Sequence, residues 1–359
     1  MSPYQSKISL YRNVFAGKTN YIPLLVWPQC GDMPTVDELW SDLPAVLSRV
    51  PVAIEAKAQT GSDWIPVYGA GTYQCIAIPS LYGCEVVKLA GSDPICKPKF
   101  NSIDEILDIG IPEMKGQVIE RLFDDLTVLK EFVGKYGWEL SYPVTVSPLD
   151  VAQLILGEEF MVLLMTEQAK VKRLLSNLTL AAIDLIKLVK AQMGQKPDEY
   201  ITGKGIYQPG IRMACDSIVN YSPSVIKEFV LPVFEMFCEE FGPMNVHYCT
   251  EPAESGHVLP VFLNQKSVIA VDNHQGPDVF WPGDMPMKSE KRMVIITTLE
   301  LDTREKIDAF LARKPVQACL KNGTNGLIAA TYVQSVEQGK AIFSYWQEQM
   351  SRFTDVGNH

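Results

Sequence analysis

Positive charge is in short supply: 32 Lys and Arg stand against 42 Asp and Glu, a formal charge of −10 over 359 residues. No basic block relieves it, and a phosphate backbone would be repelled over most of such a surface, which argues against nucleic acid as a partner. Long apolar runs are missing too. Stretches such as FMVLLM at 160–165 fall far short of the ~20 residues that a bilayer crossing needs. The opening MSPYQSKISLYRNVFAG has no apolar core of signal-peptide length, so a cytoplasmic protein with no membrane partner is expected. The eight cysteines lack the short framework spacing of small secreted domains and include no CxxC pair, which predicts reduced thiols. There is no G-x-S-x-G elbow for a serine hydrolase, and the glycines of YGAGTYQC and TGKGIY miss phosphate-loop spacing and read as turns. No internal repeat, low-complexity tract or Pro/Ser-rich linker divides the chain.

What is present is a rhythm of strands and helices. The apolar run 22–27 ends in Pro28 and Gly31, the pattern of a buried strand entering a loop, with Cys30 and Asp32 just past its C-terminal end. Residues 113–136 carry apolar side chains at helical spacing, and ELSYPVTVS follows as a strand. Helices are expected over PLDVAQLILGEEFMVLLM, EQAKVKRLLSNLTLAAIDLIKLVKAQM and SPSVIKEFVLPVFEMFCEEF, and strands over IYQPGIRMAC, MNVHY, KSVIAVD, KRMVIITTLEL and NGLIAAT. This alternation predicts a parallel α/β sheet, and roughly eight strand candidates favour a closed (β/α)8 TIM barrel over an open sheet. Residues 50 to 105, rich in Gly, Tyr and β-branched side chains, read as short strands and turns, an N-terminal elaboration near the barrel mouth. One domain spanning 1–359, with 47% hydrophobic residues to fill its core, is the expected organisation.

In such a barrel, functional side chains gather at the C-terminal ends of strands. Those ends hold Cys30 and Asp32, Cys215 and Asp216, His247, Cys249 and Glu251, and Asp272 and His274. His257, by contrast, lies in a helical pattern beside Val258 and Leu259 and reads as structural. Alternation along a strand puts positions 247 and 249 on the same side, so an imidazole and a thiolate can converge on one ion, and Zn²⁺ suits that pair. The plain alternative is two side chains packing at a strand end. A catalytic zinc takes three protein ligands; Asp272 or His274 after the next strand, and Cys30 after the first, are within the expected reach. Asp216 follows the strand GIRMAC, where it either orients a substrate and works as a general acid/base or supplies charge to a helix N-terminus. Cys30, Asp32, Glu251 and Asp272 are the candidates for contact with a small-molecule substrate.

The order of these segments resembles the uroporphyrinogen decarboxylase superfamily over nearly the whole chain. The resemblance is carried by YRNVFAGKTNYIPLL, SPLDVAQLILGEEFMVLLM, VKRLLSNLTLAAIDLIK, RMACDSIVNYSPSVIKEFVLPVFEMF, VHYCTEPAESGHVLP and NGLIAATYVQSVEQGKAIFSYW. It implies a TIM barrel with a deep cleft at its C-terminal face. Where the porphyrinogen decarboxylases of that superfamily carry an arginine-rich M-R-Q-A-G-R segment, this chain has VWPQCGDMP, and with no arginine there the carboxylate clamp is lost.

The resemblance therefore runs to the zinc-dependent corrinoid methyltransferases, a branch with His-x-Cys after a late strand, a third ligand after the next strand and a distal cysteine at the end of the last. His247 and Cys249 match the first pair, and Asp272 to His274 fall at the place of the third. The distal cysteine is missing: the last strand ends in Ala330 and Thr331, and Cys319 falls earlier, on an expected helix facing away from the cleft. His274, ahead of Asp272 and Cys30, is the expected replacement. The implied activity moves a methyl group between a corrinoid and a small thiol or methyl donor. The zinc lowers the thiol's pKa, and the corrinoid arrives on a separate protein docking on a monomer or homodimer. The competing expectations are a metal-independent lyase, in which Asp216 does acid/base work on a small carboxylated substrate, and a barrel that binds ligands without catalysis.

Overall fold

The computed structural model describes residues 3–69, 71–143, 145–249, 256–263, 265–273, 293–322 and 326–354. Its centre is a seven-stranded sheet. In chain order the strands are β1 (Leu24–Pro28), β2 (Thr145–Val146), β3 (Ile211–Ala214), β4 (Met244–His247), β5 (Val268–Asn273), β6 (Val294–Thr298) and β7 (Gly326–Val333). Their spatial order is β1-β7-β6-β5-β4-β3-β2, and every neighbouring pair is parallel. From β3 onward the spatial order follows the chain order, and parallel neighbours of this kind need crossover connections and not tight turns. The β1 and β4 burial patterns are continuous, so both faces of these strands are covered. The α/β class and the parallel sheet are thus as expected.

Between β1 and β2 the chain departs from the expected reading. Residues 50–59, read above within a run of strands and turns, form a helix, Val50–Gln59. Pro51 sits in its first turn, where no N–H is needed, and VPVAIEAKAQ supplies Ala, Glu, Lys and Gln as helix formers. The short strand Val67–Tyr68 pairs in parallel with Glu139–Leu140. On one side of it Asp63 N–H donates to Leu24 O at 3.1 Å; on the other Ser141 N–H donates to Tyr68 O at 2.9 Å. Backbone hydrogen bonds therefore lead from β1 through residues 63–68 to 139–141.

The helices follow their sequence signals closely. Gln117–Tyr136 buries Ile119, Leu122, Leu126, Leu129 and Phe132, a stripe at helical spacing, and ends at Gly137 in the left-handed conformation. Gln168–Met193 runs 26 residues to Gly194, which closes it the same way. The expected helix at 148–165 is two, Pro148–Leu156 and Glu159–Thr166, because Gly157 at φ 67° breaks the run. Ser222 opens the helical run that leads to β4, accepting the Val225 N–H. Cys319 is buried on the helix Lys314–Asn322. Among the described residues no helix is long and apolar enough to cross a membrane.

Candidate metal centre

The register of β3, β4 and β5 builds the centre. His247, the last residue of β4, lies opposite Ala214 at the end of β3 and Asp272 near the end of β5. Because neighbours in register share a face and side chains alternate, Arg212, Asn245, His247 and Asp272 all project from one face of the sheet. The chain leaving β3 carries Asp216, and the chain leaving β4 carries Cys249. Cys215 N–H donates to His247 O at 2.8 Å, and Cys249 N–H donates to Asp216 Oδ1 at 2.9 Å, so the two strand exits are laced together.

Three side chains meet there. The ligand atoms of Asp216, His247 and Cys249 lie within 4.8 Å of one another. His247 Nε2 is 3.0 Å from Cys249 Sγ and 3.8 Å from Asp216 Oδ1. On the other side of the ring, Nδ1 is 3.1 Å from the Asp272 carbonyl oxygen. With Nδ1–H donating to that carbonyl, the tautomer is fixed and the Nε2 lone pair faces Cys249 and Asp216, the arrangement that orients a metal-binding histidine. Among the described residues the donor set is one imidazole nitrogen, one sulfur and one carboxylate oxygen, all accepted by Zn²⁺. Imidazole is buried, whereas Cys249 and Asp216 are exposed at the sheet's C-terminal edge, so an ion would be reached from solvent.

Beneath this group lies a buried charge cluster. Asp272 Oδ1 accepts from Lys204 Nζ at 2.6 Å, and Oδ2 accepts from Arg212 Nε at 2.9 Å. Burial works against the charge on Asp272, but these two cations hold its carboxyl well below the usual range. Lys204 is shifted down, by burial first and with Asp272 opposing. The Cys249 thiol is pushed up to about 11, by burial and then by Asp216 and Asp272, with Lys204 and Arg212 pulling the other way. Without an ion it is a protonated thiol at neutral pH.

The expected site residues divide accordingly. His247 and Cys249 come together as their spacing requires. Asp216, expected in acid/base or substrate-orienting work, stands as the third donor of the group. Asp272 is not free for an ion, since its carboxylate is committed to Lys204 and Arg212, with His247 Nδ1 3.7 Å from its Oδ2. Cys30 does not join the group; its neighbours are Lys57 and Glu337, and burial raises its thiol. Asp32 is exposed and pairs with Arg49 at 3.4 Å. Glu251 and His274 lie outside the described residues.

Sequence reasoning missed Lys204, Arg212 and Asp150. Arg212 left a signal, a charge inside the otherwise apolar strand IRMA; Lys204 was hidden in TGKGIY, which as a turn predicts nothing about where its side chain reaches. Asp150 reads as an acid in the first turn of a helix capped by Ser147, yet it faces a cleft. That cleft, about 430 Å³, adjoins the centre at Asp216 and is lined also by Cys75, Gln153, Leu154, Ser217 and Asn220.

No protein-family model matches the chain, and no curated protein matches it.

Proposed function

We propose that the chain is a zinc-dependent methyltransferase that moves a methyl group between a corrinoid, carried by a partner protein, and a small thiol or methyl donor. One observation carries the reading: Asp216, His247 and Cys249 place nitrogen, sulfur and oxygen donors within 4.8 Å of one another at the C-terminal ends of adjacent parallel strands. We also propose that the sheet closes into a (β/α)8 barrel. The hydrogen bonds from Leu24 to Asp63 and from Tyr68 to Ser141 support closure, since they carry the ladder from β1 toward β2 through the short pair Val67–Tyr68 and Glu139–Leu140.

Each residue has a task in this account. His247 offers Nε2, its other nitrogen being tied to the Asp272 carbonyl. Cys249 would offer Sγ to the ion as a thiolate, its proton passing to solvent. Asp216 offers a carboxylate oxygen while its Oδ1 also holds the Cys249 N–H, which fixes the loop carrying the thiol. Lys204 and Arg212, under the centre, oppose the rise that burial, Asp216 and Asp272 impose on the Cys249 thiol. Bound zinc would supply Lewis acidity, keeping a thiol deprotonated at neutral pH. The adjoining cleft is of a size for a small substrate; the corrinoid is assigned to a partner protein docking over the strand ends.

Methylcobalamin and a panel of small thiols, mixed anaerobically with zinc-loaded protein, test the activity. Loss of the methylcobalamin spectrum above the buffer rate is expected, and Cys249→Ser should abolish it. The reverse reaction starts from cob(I)alamin with methyl ethers or methylamines. No turnover in either direction, with decarboxylation of a small carboxylic acid instead, would replace methyl transfer by the lyase reading.

A further inference from the structure

The cleft beside Asp216 has walls of one electrical character. Its polar lining comprises the carboxylates of Asp150 and Asp216, the amides of Gln153 and Asn220, the Ser217 hydroxyl and the Cys75 thiol, and among the described residues neither a lysine nor an arginine lines it. The cations nearest the centre, Lys204 and Arg212, are spent on Asp272 and are absent from this lining. Asp150 is held rigidly: Ser147 Oγ donates to its Oδ2 at 2.8 Å, and Ser217 N–H donates to its Oδ1 at 3.0 Å. These neutral donors fix the carboxylate without neutralising it. Burial raises its pKa, the hydrogen bonds from Ser217 and Ser147 oppose the rise, and Asp216 adds to it. A half-buried carboxylate near a second carboxylate is stabilised when a positive charge joins it.

We propose that this cleft admits a cationic substrate, a methylated ammonium compound, with Asp150 as its recognition residue and Asp216 between it and the candidate metal centre. The assignment rests on the methyl-transfer reading for the role of the compound, but its binding does not require a metal. An onium group has no use for a hydrogen-bond donor, and its attraction to the half-buried Asp150 carboxylate exceeds the same attraction to a fully hydrated one. A carboxylate or sulfonate of equal size would meet repulsion from Asp150.

Three isosteres of different charge make the test: choline, its neutral carbon analogue 3,3-dimethyl-1-butanol, and the anion 3,3-dimethylbutyrate. Calorimetric titration at low salt should give choline an affinity about tenfold or more above the alcohol, with no detectable binding of the anion. Asp150→Asn should remove most of the choline preference. Should Asp150→Asn fail to fold, Leu154→Lys, which sets a cation in the half-buried wall of the cleft, serves the same purpose and should abolish choline binding. Equal binding of choline and the alcohol, tighter binding of the anion, or no binding of choline overturns the assignment. If choline preference fails while zinc is retained and methylcobalamin is consumed, only the substrate class falls. If the preference holds but no methyl transfer is found, the cleft stands as an onium site and the reaction is the part that fails.

Discussion

At the scale of single residues, the decisive distinction is between Asp272 and Asp216, two acids at neighbouring strand ends with opposite circumstances. Asp272 is buried and bonded to two cations; Asp216 is exposed, with its Oδ1 turned toward His247 and Cys249. Spacing along the chain singled out the pair at 247 and 249, because alternation in a strand fixes which side chains share a face. It could not show which acid joins them, because that depends on where Lys204 and Arg212 reach from other segments. Removing Asp272 leaves both cations buried without an anion. Asp272→Asn should therefore cost about 3–5 kcal/mol in urea unfolding, and Lys204→Met/Arg212→Met/Asp272→Leu should recover most of it. A loss below about 1 kcal/mol in the single variant would mean that the cluster is solvated, not buried. Asp216→Asn should fold as well as wild type and weaken zinc binding by roughly tenfold or more, because an amide oxygen is a poorer zinc donor than a carboxylate.

Elements were legible where local physics decides them. The helices Gln117–Tyr136 and Gln168–Met193 carry their own apolar stripes and glycine stops, and β4 and β5 lie where alternating and continuous apolar runs placed them. The strand expected over IYQPGIRMAC was only half right. Tyr207–Pro209 pairs back with Glu199–Ile201 as a hairpin, and β3 begins after Gly210. Pro209-Gly210 marks the break in the sequence, and the structure gives its reason: Gly210 has φ 77°, and a Cβ there would stand 1.6 Å from the Pro243 carbonyl oxygen. Neither the conformation nor the space admits another residue. Gly210→Ala should lower stability by at least about 2 kcal/mol, read from the urea midpoint. It should also disturb zinc retention, because Arg212 and Asp216 hang on the strand it displaces. Full retention of stability would show that the hairpin and β3 can separate from Pro243 without cost.

For the whole molecule, the parallel α/β class was legible from the alternation of strands and helices, whereas residues 50–59 were misread because Ala-rich helix and β-branched neighbours shared one window. Asp63 gives the fold a pH dependence of its own. Its Oδ2 accepts from Leu24 N–H and Tyr21 Oη–H, and burial raises its pKa to about 6 despite those bonds. A folded-state pKa above the unfolded value of about 3.9 means that the native chain holds the proton more tightly. The contribution is present in full below about pH 4 and is lost as pH rises through about 6, on the order of 2–3 kcal/mol. Asp63→Asn should flatten that part of the stability profile relative to wild type, and an unchanged slope between pH 4 and 6 would assign it to other groups.

The central claim is that Asp216, His247 and Cys249 form a metal centre, and metal content tests it most directly. Protein purified anaerobically, loaded with zinc and desalted, should retain about one zinc per chain by mass spectrometry. His247→Ala/Cys249→Ser, shown by circular dichroism to be folded, should retain almost none. Equal zinc in the two proteins, or none in either, would contradict the account.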